Sequence, residues 1–194
     1  MALDKSAFDL LFDEAHTHNK WQQRDVPDDL LRALVEHLKW APTSFNSSPS
    51  RFVFVKSKEA KARLKPHLGK NNAEKTMSAP VTVIVGTDYQ FYDHLPKLFP
   101  PANAKPWFLE DKEFADITAY RNGTLQGGYM IIAARALGLD CGPMSDFNND
   151  GVDADFFAGT TVKSNFICNL GYGDPSGIRP RFPRFSFDEI AKIV

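Results

Sequence analysis

The sequence predicts one compact domain that mixes helices with β-strands, and three observations carry that expectation. Amphipathic helical periodicity alternates along the chain with β-branched and aromatic runs. Hydrophobic residues make up 43% and charged residues 24%, an ordinary globular composition that excludes a disordered tail, a collagen or a disulfide-dense miniprotein. The length, 194 residues, suits one domain or one subunit of an oligomer, and no repeat or low-complexity linker divides residues 1–194.

The elements follow in order. Phe8, Leu11, Phe12 and Ala15 stand at i, i+3, i+4 and i+7, with Ser6 and Asp9 spaced as a capping box, so an amphipathic helix is expected to pack on something larger. Pro27 opens a second helix in whose first turn Asp28 and Asp29 suit the positive end of the dipole. Leu30, Leu31, Leu34, Val35 and Leu38 form its buried stripe, and it should run to Trp40 and stop at Ala41-Pro42. APTSFNSSPSRF is turn-rich and leads into RFVFVK, a strand. Residues 57–68 read as a charged surface helix broken near Pro66, and VTVIVG at 81–86 as a fully buried central strand.

An irregular excursion is expected between Asp88 and Pro106, where Pro96, Pro100, Pro101 and Pro106 stand beside Phe91, Tyr92, Phe99 and Trp107. That composition suits either a binding lid or a packed surface loop. The longest helical pattern runs from about Phe114 to Leu137 and ends at Gly138, with Leu139 behind it as the apolar contact of a glycine C-cap. Gly123, Gly127 and Gly128 inside it each cost ~1 kcal/mol relative to alanine, which points to close packing. A short helix near Asp153 to Ala158, a strand at 164–172 and a basic C-terminal stretch complete the chain.

Charge and cysteine content narrow the function. With 23 Lys plus Arg against 24 Asp plus Glu, the net charge of -1 draws the chain to neither nucleic acid nor an anionic membrane. Cys141 and Cys168 form no CxxC pair, so they read as reduced thiols and a cytoplasmic setting is expected. The acidic N-terminal stretch does not resemble a signal peptide, and no run approaches the ~18 apolar residues of a membrane span. GxSxG, Walker A, HExxH and post-strand GxGxxG patterns are absent. His16 and His18 lack partners at ligand spacing, so no metal site is expected. Arg179, Arg181 and Arg184, stiffened by prolines, read either as a phosphate clamp or as a solvated basic turn.

HTHNKWQQRDVPDDLLRALVEHLKWAPTSFNSSPSRFVFV resembles the N-terminal block of the FMN-dependent nitroreductase family, in which a helix ends in A-P-[ST]-x-x-N-x-x-P before a strand. KNNAEKTMSAPVTVIV, RNGTLQGGYMIIAARALGLDCGPMSDF, KSNFICNLGYGD and PRFSFDE resemble successive blocks of that family. LKWAPTSFNSSPSRFVF, LPKLFP and LGLDCGPMS look most like its malonic semialdehyde reductase branch, of the Rut pyrimidine-utilisation pathway. The resemblance implies an α+β sandwich with a mainly antiparallel central sheet, and a homodimer that exchanges terminal segments and binds two FMN molecules at the subunit interface. Electrons would come from NADPH or NADH.

Carried over residue by residue, the resemblance places His16, Thr17 and His18 at the FMN phosphate, where the family usually has Arg, Ser or Thr, and Arg. The grip would then lean on Arg181 and Arg184, or on protonated histidine. Pro42, Thr43, Ser44 and Asn46 match a loop that contacts the partner subunit's flavin, although alone they read as a helix-to-strand turn. Asn72 and Lys75 match positions at the pyrimidine end of the ring, where an ammonium stabilises negative charge; alone they lie in a charged surface helix. Pro143, Met144, Ser145 and Asp146 match the loop beside flavin N5. Asp146 replaces the usual glycine and is expected to cap a turn and face water.

The implied activity is hydride transfer from a nicotinamide through flavin N5 to a small acceptor, with no catalytic side chain required. The branch resemblance suggests malonic semialdehyde, reduced to 3-hydroxypropionate. The alternatives are broad nitroaromatic or quinone reduction, and a non-catalytic flavin-binding protein that retains the fold.

Overall fold

The computed structural model describes residues 2–194. Its centre is a four-stranded antiparallel sheet of β1 (Ser50–Val55), β2 (Val81–Asp88), β3 (Asp140–Met144) and β4 (Val162–Gly171), in the order β1-β2-β4-β3. Helices flank it: α1 (Lys5–Phe8), α2 (Asp28–Leu38), α3 (Lys58–Leu64), α4 (Lys70–Ser78), α5 (Leu95–Leu98), α6 (Lys105–Glu110), α7 (Lys112–Ala136), α8 (Asn149–Phe156) and α9 (Phe187–Ile190). The expected α+β architecture with an antiparallel sheet is therefore present. Among the described residues no helix is long and apolar enough to cross a membrane.

All of β2 is buried, because alternate residues serve two cores. Val83 and Val85 pack with Leu31, Leu34 and Leu38 of α2 and with Met130 and Ala134 of α7. Ile84 faces the other way, into a core with Val55, Leu64, Val152, Phe157 and Ile167. The register pairs Phe52 with Val85, Ile84 with Ile167, and Gly142 with Asn169.

The long helix α7 lies against this sheet, and two of its glycines are required there. A Cβ at Gly123 would overlap the Thr87 side chain, and one at Gly127 would overlap the Phe166 ring, whereas Gly128 meets open space. The helix ends as its sequence anticipates. Gly138 takes φ 78°, its N–H and that of Leu139 donate to the carbonyls of Arg135 and Ala134, both at 2.9 Å, and Leu139 is buried.

Several local expectations are corrected. The first helix is capped by Asp4, whose carboxylate accepts from the Ala7 N–H at 3.0 Å, and not by the Ser6/Asp9 pair. It continues into a wider π-type turn over Asp9–Asp13 that buries only Leu11 and leaves Phe8 and Phe12 exposed. Pro27 stands at the N-cap of α2, and the helix stops at Leu38 with Trp40 exposed. The excursion after Asp88 is mostly short helical turns around a satellite core of Phe91, Leu95, Ala104 and Phe108, in which Phe45 meets Phe99, Trp107 and Phe108 edge-on. The helix expected near 153–158 begins earlier, at Asn149.

Strand β3 was not expected from residues 140–144, since Gly142 and Pro143 disfavour strands. Its place at the sheet edge tolerates the proline. A Cβ at Gly142 would lie 2.6 Å from the His18 carbonyl oxygen, so glycine admits the N-terminal stretch, which bridges Thr17 to Cys141.

Candidate functional site

A cleft of about 330 Å³ opens between the N-terminal stretch, the end of α7 and the C-terminal arm. His16, Thr17, Arg135, Arg179, Arg181 and Arg184 line it, and no carboxylate does. Several of these guanidinium groups are oriented by neutral carbonyls. Arg181 donates to the carbonyls of Asp13 and Ala15 at 2.6 and 3.1 Å, Arg184 to those of Phe182 and Pro183, and Arg135 to that of Leu11 at 2.9 Å. Such bonds fix direction without cancelling charge, so the cleft is a strongly positive pocket with free N–H donors.

His18 does not join it. Its ring is buried over Gly173, with Nε2 3.3 Å from Asp140 and Nδ1 without a partner, while its backbone N–H donates to Cys141. What His18 contributes here is the anchoring of the stretch that carries His16 and Thr17. Trp21 adds a second anchor, its indole donating to the Lys75 carbonyl at 3.1 Å.

That bond leads to a second group of candidates. Asn72 is buried and donates to the Asp146 carbonyl at 2.9 Å. The Asp146 carboxylate lies over Gly69 at the N-terminus of α4, where the helix dipole favours it; the residue is exposed, but its side chain makes no capping hydrogen bond to that helix. Lys75 is half-buried, and burial, then the Arg179 charge, pull its ammonium below the usual lysine range, while Asp146 opposes them. Lys75 therefore stands within the fields of both the arginine cleft and Asp146.

The end of α4 rests on Lys61, which sequence reading placed on a charged surface helix but which is 4% exposed. Its ammonium donates to the carbonyls of Thr76 and Ala79 at 2.7 Å and to Thr82 Oγ1 at 3.0 Å, and burial brings it down to about 8. Thr82 in turn donates to Asn169, whose amide reaches Thr76 Oγ1 at 3.3 Å.

Pro143, Met144 and Ser145 line a separate cleft of about 400 Å³, with Thr124, Gly128 and Phe166 opposite. Pro42, Thr43, Ser44 and Asn46 lie elsewhere. The Ser44 N–H donates to Asn122 at 2.9 Å and the Asn46 amide to the Leu98 carbonyl at 2.8 Å. Asn122 and Arg135 are 13 residues apart on α7, ~20 Å along its axis. The loop is held in a costly conformation, with Phe45, Asn46 and Ser48 at φ 55°, 49° and 41°. Beside it a cleft of about 330 Å³ is lined by Lys39, Arg51, His94 and Lys97 with Gln126; Arg51 pairs with Asp88 at 2.7 Å, His94 stands 3.6 Å from the same carboxylate and Lys39 meets Glu36.

Sequence reasoning missed Arg135, which reads as an ordinary cation in the last turn of a helix, favoured there by the dipole. Only its place one turn before the glycine C-cap, where α7 meets the chain at Leu11, could have flagged it. The thiols offer no chemistry of their own. Cys141 and Cys168 are both buried, and the Cys141 thiol together with burial pushes Cys168 well up, away from the reactive thiolate.

Residues 15–172 match the model of the nitroreductase family. A candidate NADH dehydrogenase/NAD(P)H nitroreductase of Burkholderia lata is 60% identical over 191 residues, 98% of each chain. Among solved structures, a candidate nitroreductase of Bacillus subtilis superposes with TM-score 0.86 at 19% identity, over 98% of this chain and 100% of that one. Another, from Exiguobacterium sibiricum and solved in complex with FMN, gives TM-score 0.85 at 18% identity, over 100% of this chain and 99% of that one.

Proposed function

This chain belongs to the nitroreductase family, and on that premise we propose that it is an FMN-dependent NAD(P)H oxidoreductase working as a homodimer, with malonic semialdehyde as its acceptor and 3-hydroxypropionate as its product. The observation that carries the cofactor reading is the cleft in which four arginines meet without a carboxylate. A phosphate monoester is the ligand such a donor set fits, since guanidinium forks match phosphate oxygens and the pocket lacks its own counter-charge. When bound, FMN supplies a ring able to accept a hydride from a nicotinamide and pass it on.

The residues have distinct parts in this reading. Thr17 and the arginines hold the phosphate. Lys75 presents its ammonium toward the pyrimidine end of the ring, where negative charge develops on reduction, and Asn72 fixes the α4 terminus against the backbone of Asp146. Pro143, Met144 and Ser145 border the N5 side. The Pro42–Asn46 loop stands away from the same chain's arginine cleft, and the resemblance assigns it to a second copy's flavin. A homodimer is also supported by Ile117, Tyr120, Leu125 and Tyr129, which leave an apolar stripe exposed on α7.

A carboxylate-bearing aldehyde is supported by the cleft beside that loop, where Lys97, which has no carboxylate partner among the described residues, would receive its carboxylate. Broad nitroaromatic or quinone reduction is the second reading, favoured by the absence of any charged side chain from the cleft around Pro143, Met144 and Phe166.

The visible absorption spectrum tests these readings, recorded on protein supplied with FMN, then after anaerobic NADPH or NADH, then after the acceptor. Bleaching by the nicotinamide and recovery with malonic semialdehyde is the expected result. Recovery only with a quinone or nitroaromatic would favour the second reading, bound flavin that never bleaches would indicate a fold kept without turnover, and no bound flavin would remove the cofactor.

A further inference from the structure

Three arginines of the cleft stand on the C-terminal arm, and from Ile178 onward every residue of that arm is exposed. Arg135 is different. It is half-buried on α7, next to the fully buried Ala134, and its guanidinium is held to the Leu11 carbonyl at 2.9 Å. Of five N–H donors on a guanidinium, that bond uses one, leaving others for the cleft that Arg135 lines with His16 and Thr17.

We propose that Arg135 is a phosphate-binding residue for the flavin, supplying from the last turn of α7 the permanent charge that His16 and His18 do not bring to the N-terminal side of the cleft. The inference rests on the FMN reading above. Its physical basis is preorganisation. An arginine on a packed helix needs little ordering when an anion arrives, whereas the arginines of the arm stand on a segment exposed from Ile178 onward, so that holding them orders more of the chain. The position also has an electrostatic logic. The C-terminus of a helix presents partial negative charge that would repel a phosphate, and a guanidinium placed there both offsets the dipole and offers donors to the ligand.

A helix-terminal arginine with no ligand contact is the competing account, and riboflavin separates the two because it keeps the ring and ribityl chain of FMN but lacks the phosphate. Flavin-free protein is titrated with FMN and with riboflavin, following flavin fluorescence, for wild type, Arg135→Met and Arg135→Lys. The expected result is that Arg135→Met weakens FMN roughly ten- to a hundred-fold, the size of a lost charge-assisted contact, with riboflavin affinity unchanged. Arg135→Lys, which keeps the charge without the fork, should fall between, and raising the salt concentration should reduce the FMN advantage over riboflavin more in wild type than in Arg135→Met. Equal loss of FMN and riboflavin, or no loss of either, would overturn the assignment and leave Arg135 a helix cap. A wild type that binds neither flavin would overturn the cofactor reading itself, before any variant is compared.

Discussion

At the scale of single residues, two positions make separable predictions. Arg184 lines the arginine cleft on an exposed arm and is tied only to the neighbouring carbonyls of Phe182 and Pro183. Removing it should cost binding and little stability, so Arg184→Ala is expected to weaken FMN about tenfold in a fluorescence titration without moving the melting temperature. Unchanged affinity would take Arg184 out of the phosphate site. Lys61 is the opposite case. Burial lowers its pKa from 10.5 to about 8, so between those values the unfolded chain binds the proton that the folded chain has lost. The penalty of the buried ammonium is therefore felt in full below about pH 8 and lifts as the pH rises. Wild type should gain on the order of 2 kcal/mol relative to Lys61→Met between about pH 7.5 and 9.5 in urea unfolding. A difference that stays flat with pH would mean that burial does not lower the Lys61 pKa in the folded chain. Neither the burial of Lys61 nor the place of Arg135 was legible in sequence. The partners of Lys61 are 15 to 21 residues away, and no short-range pattern marks a lysine that caps another helix from below.

At the scale of elements, α7 allows a paired test on adjacent glycines. Gly127 backs onto Phe166 and Val85, with no room for a Cβ, whereas Gly128 faces open space in the single chain. Gly127→Ala should destabilise by roughly 1–3 kcal/mol through overpacking. Gly128→Ala should stabilise an isolated chain by up to ~1 kcal/mol through helix propensity. Urea denaturation of both variants checks the contrast, and a loss at Gly128 comparable to that at Gly127 would mean that something covers this face. The sequence made α7 legible because its C-cap depends on local chemistry, glycine at Gly138 and an apolar Leu139. It left β3 illegible because that strand exists through non-local pairing. Asp140–Met144 is held by β4 and by the crossing of Thr17 and His18 over Gly142, and none of these lies near it in sequence. The same limit explains the first helix. Its apolar spacing promised a buried face, but Phe8 and Phe12 remain exposed in one chain, so periodicity identified the helix without identifying its partner.

At the scale of the whole molecule, the arrangement of surfaces favours a pair of chains. The resemblance, which spanned most of the sequence, made the antiparallel sheet legible, but no pattern within one chain could say that the Pro42–Asn46 loop and the arginine cleft would be ~20 Å apart along α7. Two copies resolve that separation if the loop of one reaches the flavin held by the other. They would also cover Tyr120, Leu125 and Tyr129 on α7 and the Phe182, Phe185 and Phe187 side chains of the arm, a larger set of exposed apolar groups than a monomer ordinarily carries. Sedimentation at micromolar concentration should then give about twice the 21.8 kDa of one chain. Tyr129→Arg, which sets a charge in the apolar stripe beside Gly128, should shift the protein toward monomer and lower FMN retention in the same step, because each flavin would lose contacts from the partner's loop. Tyr129 lines neither the arginine cleft nor the cleft around Pro143, Met144 and Phe166, so an effect on the flavin is expected through assembly or through folding, and a melting temperature measured on the flavin-free variant distinguishes these. A wild-type monomer that retains FMN would overturn the two-chain site and require Pro42, Thr43, Ser44 and Asn46 to serve as a turn alone.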